Sequence, residues 1–176
     1  MTTIELVRHA KAHSRDRWWG KPDLARPLTE AGMDQAREIG RALRAGGPIA
    51  KLYSSPYVRC TQTLDPLADA LGVHTVEDEA LGEARTLPVH DAGDAWVAPA
   101  WLGGRAVAFV NRVVAEYPGK RIVACSHGDV IPALMALLVG RDGLAIDDVR
   151  CRKGARFTLT FDGGRCLQAE HVPPPG

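Results

Sequence analysis

The stretch Thr3-Ile4-Glu5-Leu6-Val7-Arg8-His9-Ala10-Lys11 decides how the rest of the chain is read. Ile4, Leu6 and Val7 are strand formers, and the run stops abruptly in charge at Arg8 and His9. A buried strand delivers reactive side chains to the carboxyl edge of a sheet in this way. Arg8 supplies a fixed cation, and His9 can act as nucleophile or base near neutral pH. Taken alone, the pair reads equally well as surface charge at a strand end. Two other segments end alike. Ile122-Val123-Ala124-Cys125 runs into Ser126-His127-Gly128, and Leu52-Tyr53-Ser54 leads through Ser55-Pro56 to Arg59 at a loop-to-helix transition. Two His and two Arg at three strand ends converge on an anion, for which phosphate is the usual identity.

The loop from Ala12 to Arg26 is rich in cations and indole, with Arg15, Arg17, Trp18, Trp19 and Lys21 among its residues. It is either a solvated connection with one Trp tucked against the core or a rim that binds the substrate beyond its phosphoryl group. Lys11, Arg15, Trp19 and Lys21 are the rim candidates, joined by Ser126 and Gly128 beside His127. Thr29 is placed to cap a helix, and Met33, Ala36, Ile39, Gly40 and Leu43 form its apolar stripe before Gly46-Gly47-Pro48. Ser55-Pro56 reads as a cap followed by proline at a first helical position, and Pro66 is expected to kink that helix or restart it.

Val73 to Glu77 reads as a short strand. From Ala84 to Gly104 the periodicity dissolves, which makes that short segment a candidate lid or site-flanking segment. A helix is expected from Arg105 to Tyr117, a strand from Arg121 to Cys125, and a hydrophobic helix from Asp129 to Val139. Arg156 to Phe161 and Cys166 to Val172 alternate on either side of Asp162-Gly163-Gly164, the pattern of a hairpin. Strands alternating with helices, then a hairpin, predict an α/β fold: a single-domain three-layer sandwich with a mixed, mostly parallel sheet and helices on both faces. The domain is expected to span 1–172, with 173–176 a flexible tail.

Four ordered blocks carry a family resemblance: Leu6-Val7-Arg8-His9-Ala10, Pro27-Leu28-Thr29-Glu30-Ala31-Gly32, Ser54-Ser55-Pro56 with Arg59 and Thr61-Gln62-Thr63, and Ser126-His127-Gly128. Together they resemble the histidine phosphatase superfamily, which includes the cofactor-dependent phosphoglycerate mutases. Arg8-His9-Ala10-Lys11-Ala12 is more similar to the small phosphohistidine phosphatase branch, because mutases usually read Arg-His-Gly followed by an acidic residue. The resemblance implies the same sandwich architecture, a covalent phosphohistidine on His9, and phosphoryl binding by Arg8, Arg59 and His127. It also points to Glu83, after a Leu-x segment, as the acid that protonates the leaving group. Glu83 could equally be a plain surface carboxylate beside Asp78 and Glu79. A phosphoramidate substrate, whose leaving nitrogen is readily protonated, would need such an acid less.

The bulk properties are those of a globular protein and narrow its partners. The chain has 176 residues, 45% hydrophobic and 24% charged, with 22 Lys and Arg against 21 Asp and Glu. A formal charge of +1 gives no reason to expect nucleic acid or a polybasic membrane contact. Cys60, Cys125, Cys151 and Cys166 lack C-x-x-C spacing and read as reduced thiols in a cytoplasmic protein. No secretory signal is read at the N-terminus, and the longest apolar run, Ile131 to Val139, is too short to cross a bilayer.

Other chemistries fit less well. Ala124-Cys125-Ser126-His127-Gly128 lacks the first Gly of the G-x-S-x-G elbow, and a serine hydrolase built on Ser126 and His171 would leave Arg8, His9 and Arg59 unexplained. A Cys-dependent phosphatase needs Arg six positions after its Cys, where this chain has Pro66, Ile131, Phe157 and Val172. His9 and His13 do not form a metal motif, and neither a metal nor another cofactor is expected. The expected substrate is a phosphorylated small molecule or a phosphohistidine protein. The alternatives are a mutase-type phosphotransferase and a catalytically silent phospho-ligand binding module.

Overall fold

The computed structural model describes residues 1–84, 87 and 94–175. In chain order the elements are β1 (Thr2–Arg8), α1 (Glu30–Ala45), β2 (Lys51–Ser54), α2 (Val58–Leu71), β3 (Val76–Glu77), α3 (Val97–Glu116), β4 (Arg121–Ser126), α4 (Val130–Asp142), β5 (Arg156–Asp162) and β6 (Arg165–Val172). The strands make one sheet in the order β3-β2-β4-β1-β5-β6. β1, β2, β3 and β4 run parallel, whereas β5 pairs antiparallel with both β1 and β6. This is the expected sandwich with its C-terminal hairpin.

Side-chain alternation along the strands divides the core. Val7, Leu52, Val123 and Cys125 face α1 and α2, packing against Ile39, Leu43, Leu64 and Leu67. Ile4, Leu6, Ile122 and Ala124 face α3 and α4, packing against Phe109, Val110, Leu134 and Leu138. Glu5, a carboxylate inside the hydrophobic strand, is 4% exposed. It is paired: Oε1 accepts from Arg121, and Oε2 accepts from Arg156 and Thr158. A buried charge with complete partners of this kind avoids the desolvation penalty of an isolated one.

Register places the site. Arg8 lies opposite Ser126 across the β1–β4 ladder, and Ser54 lies opposite Cys125 across β2–β4. The residues that follow these strand ends therefore emerge side by side. Thr29 caps α1 as expected, accepting from Gly32 N at 3.1 Å.

Several element boundaries differ from the sequence expectations. α2 begins at Val58 with Tyr57 as its cap, not at Ser55-Pro56, although the Ser55 hydroxyl still accepts from Tyr57 N at 3.4 Å while meeting His127. Pro66 stays within one helix, α2, which Leu64 and Leu67 anchor in the core on either side. β3 is limited to two residues, shorter than the expected Val73–Glu77. α3 starts eight positions before the expected Arg105, at Val97. Pro99 falls in its first turn, where a missing N–H costs no helical bond, and Leu102 and Ala106 prolong the apolar face. Gly103 allows α3 to approach α4, since a Cβ there would lie 3.0 Å from Ala133 O. Of the candidate lid, 97–104 is thus helix, while 85–86 and 88–93 lie outside the described residues. α4 is shifted to Val130–Asp142, with Asp129 as its cap.

The segment after β6 does not leave the body of the protein. Pro173 and Pro174 line a cleft beside Arg8, and Pro175 lines another beside Lys11. Among the described residues no helix is long and apolar enough to cross a membrane.

Candidate active site

β1 ends by placing His9 at the carboxyl edge of the sheet, where its backbone N–H donates to Ser126 O at 3.0 Å. The His9 ring is 4% exposed. Its Nδ1–H donates to Ala10 O at 2.7 Å, which fixes the tautomer that leaves the lone pair on Nε2. Nε2 has no hydrogen-bond partner among the described residues. Burial, with the cations of His127, Arg59 and Arg8 close by, pushes the His9 pKa down to about 3 against the pull of the Ala10 carbonyl. His9 is therefore a neutral imidazole across the physiological range.

His127 follows β4 and stands next to His9, with ring centroids 5.4 Å apart. It is fully buried. Nε2 donates to Ser55 Oγ at 2.7 Å, and Nδ1 lies 3.3 Å from Glu83 Oε1. The Tyr57 ring packs against it edge-on at 4.8 Å, and Cys60 Sγ lies 3.4 Å from Nε2. Burial favours the neutral ring, but the Cys60 sulfur and the Glu83 carboxylate raise the pKa to about 9. Two adjacent imidazoles are thus set to opposite states: His9 neutral, His127 protonated. Environments that drive like groups apart in this way are how folds assign distinct acid–base roles.

The guanidinium groups complete the arrangement. Arg8 Nη1 donates to Cys151 O at 2.7 Å. Gly128 leaves room beside it: a Cβ would come within 2.6 Å of Arg8 Nη2, so the guanidinium would have to shift. Arg59 is fully buried in the first turn of α2, where its guanidinium lies over the Tyr57 ring at 4.5 Å. Nη1 donates to Asp23 O, while Nη2 lies 3.2 Å from Asp23 Oδ2 and 3.0 Å from Glu83 Oε2 without hydrogen-bond geometry to either. Arg8 Nε, Arg59 Nε and Arg59 Nη2 are buried donors with no hydrogen bond. Unmade hydrogen bonds at buried donors are costly, and a phosphoryl oxygen is the acceptor that guanidinium forks match.

Glu83 is a member of this cluster, not a plain surface carboxylate. It contacts His127, Arg59 and, at 3.5 Å, Arg15. Burial alone would raise its pKa, but His127 and Arg59 hold it at about 2. Arg15, Trp19 and Lys21 line a cleft of about 410 Å³ that Glu83 and Tyr57 also border.

Two other residues singled out from sequence lie elsewhere. Lys11 is tied to α1, its N–H donating to Gln35 and its carbonyl accepting from Thr29, and it lines a separate cleft with Asp34 and Glu38. Ser126 is fully buried with its hydroxyl donating to Leu81 O at 2.7 Å. Strand alternation turns its side chain away from His127, so its contribution is the carbonyl that holds His9. Sequence reasoning missed Asp23, Ser55, Tyr57 and Cys60 as contacts of Arg59 and His127, and Thr63, whose Oγ1 links Ala10 N to Arg59 O. Lys153 was missed as well: burial and the cations Arg8, Arg26, Lys11 and Arg59 lower its pKa, placing it in the same field.

The family model described as histidine phosphatase superfamily (branch 1) matches residues 4–92 and 97–171. The chain belongs to the histidine phosphatase superfamily. A relative from Mycolicibacterium smegmatis, an 8-oxo-(d)GTP phosphatase, is 30% identical over 173 residues, covering 98% of this chain and 48% of that protein. The chain therefore spans about half the length of that relative. Among solved structures, Bacillus stearothermophilus YhfR superposes with a TM-score of 0.75 at 21% identity, covering 94% of each chain. The protein histidine phosphatase SixA, solved with tungstate, gives a TM-score of 0.70 at 20% identity, covering 98% of this chain and 97% of that one. At these identities the two structures speak for the superfamily fold.

Proposed function

We propose that the protein is a phosphatase that transfers the phosphoryl group of a phosphomonoester or phosphoramidate to His9 and releases it to water. The observation that carries this reading is the state of His9: buried, neutral, tautomer fixed by Ala10 O, and next to three buried guanidinium donors that make no hydrogen bond. Attack on a phosphoryl group requires its oxygens to be neutralised and the nucleophile held in line. Arg8, Arg59 and protonated His127 supply the charge, and His9 Nε2 supplies the lone pair. In the first step the N–P bond forms as the P–O or P–N bond to the leaving group breaks. In the second, water attacks phosphorus and the electron pair returns to Nε2.

Glu83 borders the cleft where a leaving group would lie, which supports an acid role. It is ionised in the free site, so it must gain a proton when a bound phosphoryl dianion draws Arg59 and His127 away from it. The four buried, unpaired cysteines support a reducing, cytoplasmic setting.

The test is hydrolysis of a generic phosphomonoester with and without excess chelator. Because Arg8, Arg59 and His127 meet the phosphoryl charge, activity is expected to be unchanged by chelation. Loss on chelation with recovery on adding a divalent ion would overturn the reading.

The pH dependence follows from the two histidines. The reactive combination, neutral His9 with protonated His127, exists between about pH 3 and about pH 9. kcat/KM reports groups of the free enzyme, so its alkaline limb is expected near pH 9 as His127 loses its proton, and His127→Gln is expected to remove that limb. His9 contributes no limb above about pH 3. A fall around pH 6 belongs to the second ionisation of the substrate phosphate, whose pKa is about 6. An alkaline limb that survives in His127→Gln would contradict the assignment.

A further inference from the structure

The cleft bordered by Glu83 has a chemistry that a simple phosphomonoester does not use. Trp19 projects from it with 88% of its surface exposed, an indole that forfeits the burial that normally makes Trp stabilising. In the same cleft Trp18 donates its Nε1–H to Pro22 O at 2.9 Å, and Lys21 Nζ lies over its face at 4.5 Å. Arg15 reaches from the same loop between Glu83 and Asp23, at 3.5 and 3.9 Å, with its side chain 72% exposed and able to turn to a stronger anion. An open aromatic face beside two exposed cations is the pattern that binds a base together with phosphates. Glu83, which contacts Arg59 and His127 of the phosphoryl cluster, also lines this cleft, so cluster and cleft adjoin. The volume, about 410 Å³, falls in the range of small-molecule sites, roughly 300–1,000 Å³.

Resting on the phosphatase reading above, we propose that this cleft holds the leaving portion of a nucleoside triphosphate, with the base stacked on Trp19 and the inner phosphates held by Arg15 and Lys21. The chemistry at His9 accommodates such a substrate. Nε2 forms a bond to the terminal phosphorus, and the bond from that phosphorus to the bridging oxygen breaks. The bridging oxygen keeps the electron pair and departs as the terminal oxygen of a nucleoside diphosphate. That oxygen belongs to a phosphate and needs no proton in order to leave, whereas an alkoxide does. Glu83, held ionised by His127 and Arg59, is therefore no handicap. Water then attacks the phosphohistidine, the N–P pair returns to Nε2, and the water proton passes to the Glu83 carboxylate and on to solvent. A sugar monophosphate would offer Arg15 and Lys21 no second phosphate and Trp19 no aromatic ring.

The experiment compares kcat/KM for ATP, inorganic tripolyphosphate and glycerol phosphate. ATP is expected to exceed tripolyphosphate by about tenfold, the effect of one stacked base, and tripolyphosphate to exceed glycerol phosphate. The products from ATP are ADP and phosphate. Trp19→Ala is expected to bring the ATP to tripolyphosphate ratio close to unity, and Lys21→Ala to lower both relative to glycerol phosphate. In parallel, His9→Ala protein titrated with ATP is expected to show quenched tryptophan fluorescence, which Trp19→Phe in the same background abolishes. Glycerol phosphate matching ATP, a Trp19→Ala variant that slows all three substrates alike, or no quenching by ATP would each overturn the proposal. ATP quenching without any His9-dependent hydrolysis would instead uphold the nucleotide cleft and defeat the phosphatase reading.

Discussion

His9→Ala is expected to lower kcat by at least about a thousandfold, as removal of a covalent nucleophile commonly does or exceeds. The substitution removes the only group in the cluster that combines a free lone pair with a fixed tautomer. His127 cannot replace it, since both of its nitrogens are engaged and its raised pKa keeps it protonated. The fold is expected to survive, because the loop is held by backbone contacts: His9 N to Ser126 O, and Gly154 N to the carbonyls of Arg8 and His9. Single-turnover kinetics with a generic phosphomonoester measure the effect, with circular dichroism as the control for folding. Retention of full activity would remove His9 from the chemistry.

Arg59→Ala carries the second large effect. Losing one preorganised donor typically costs about 100–1,000-fold, and Arg59 presents two buried nitrogens that make no hydrogen bond. It also separates Asp23 from Glu83, contacting a carboxylate oxygen of each at 3.2 and 3.0 Å. Without it, two carboxylates face an incoming dianion with one cation fewer, so the loss in kcat/KM is expected at the upper end of that range. Arg59→Lys is expected to recover only part, because an ammonium cannot reproduce the guanidinium fork. Near-normal kinetics in Arg59→Ala would return the residue to a structural role joining the Asp23 loop to α2.

The strand ends were legible in the sequence because their signal is local: an apolar run broken by Arg-His or by Ser-His-Gly. Parallel pairing then did the remaining work, since the register that sets Arg8 opposite Ser126 brings His9 and His127 together automatically. The partners of these residues were not legible. Asp23 meets Arg59 across 36 positions and Ser55 meets His127 across 72, and no spacing rule connects such pairs. The direction of the Ser126 side chain was not legible either. Adjacency to His127 suggested a shared pocket, but alternate residues of a strand point to opposite faces. Lys11 lines a neighbouring cleft, with its N–H and carbonyl fastened to α1. The early start of α3 escaped notice because Pro99, Gly103 and Gly104 read as loop residues, although each has a tolerated place in that helix.

The covalent intermediate is the central claim. Phosphohistidine is lost in acid and survives alkali, unlike phosphoserine. A turnover reaction quenched and digested at high pH, with the peptides mapped by mass spectrometry, therefore tests it most directly. One phosphoryl group on His9, released by acid and missing from His9→Ala, is the expected result. A phosphoryl group on His127 or Ser126, or turnover with no adduct under conditions that trap the intermediate, would contradict it.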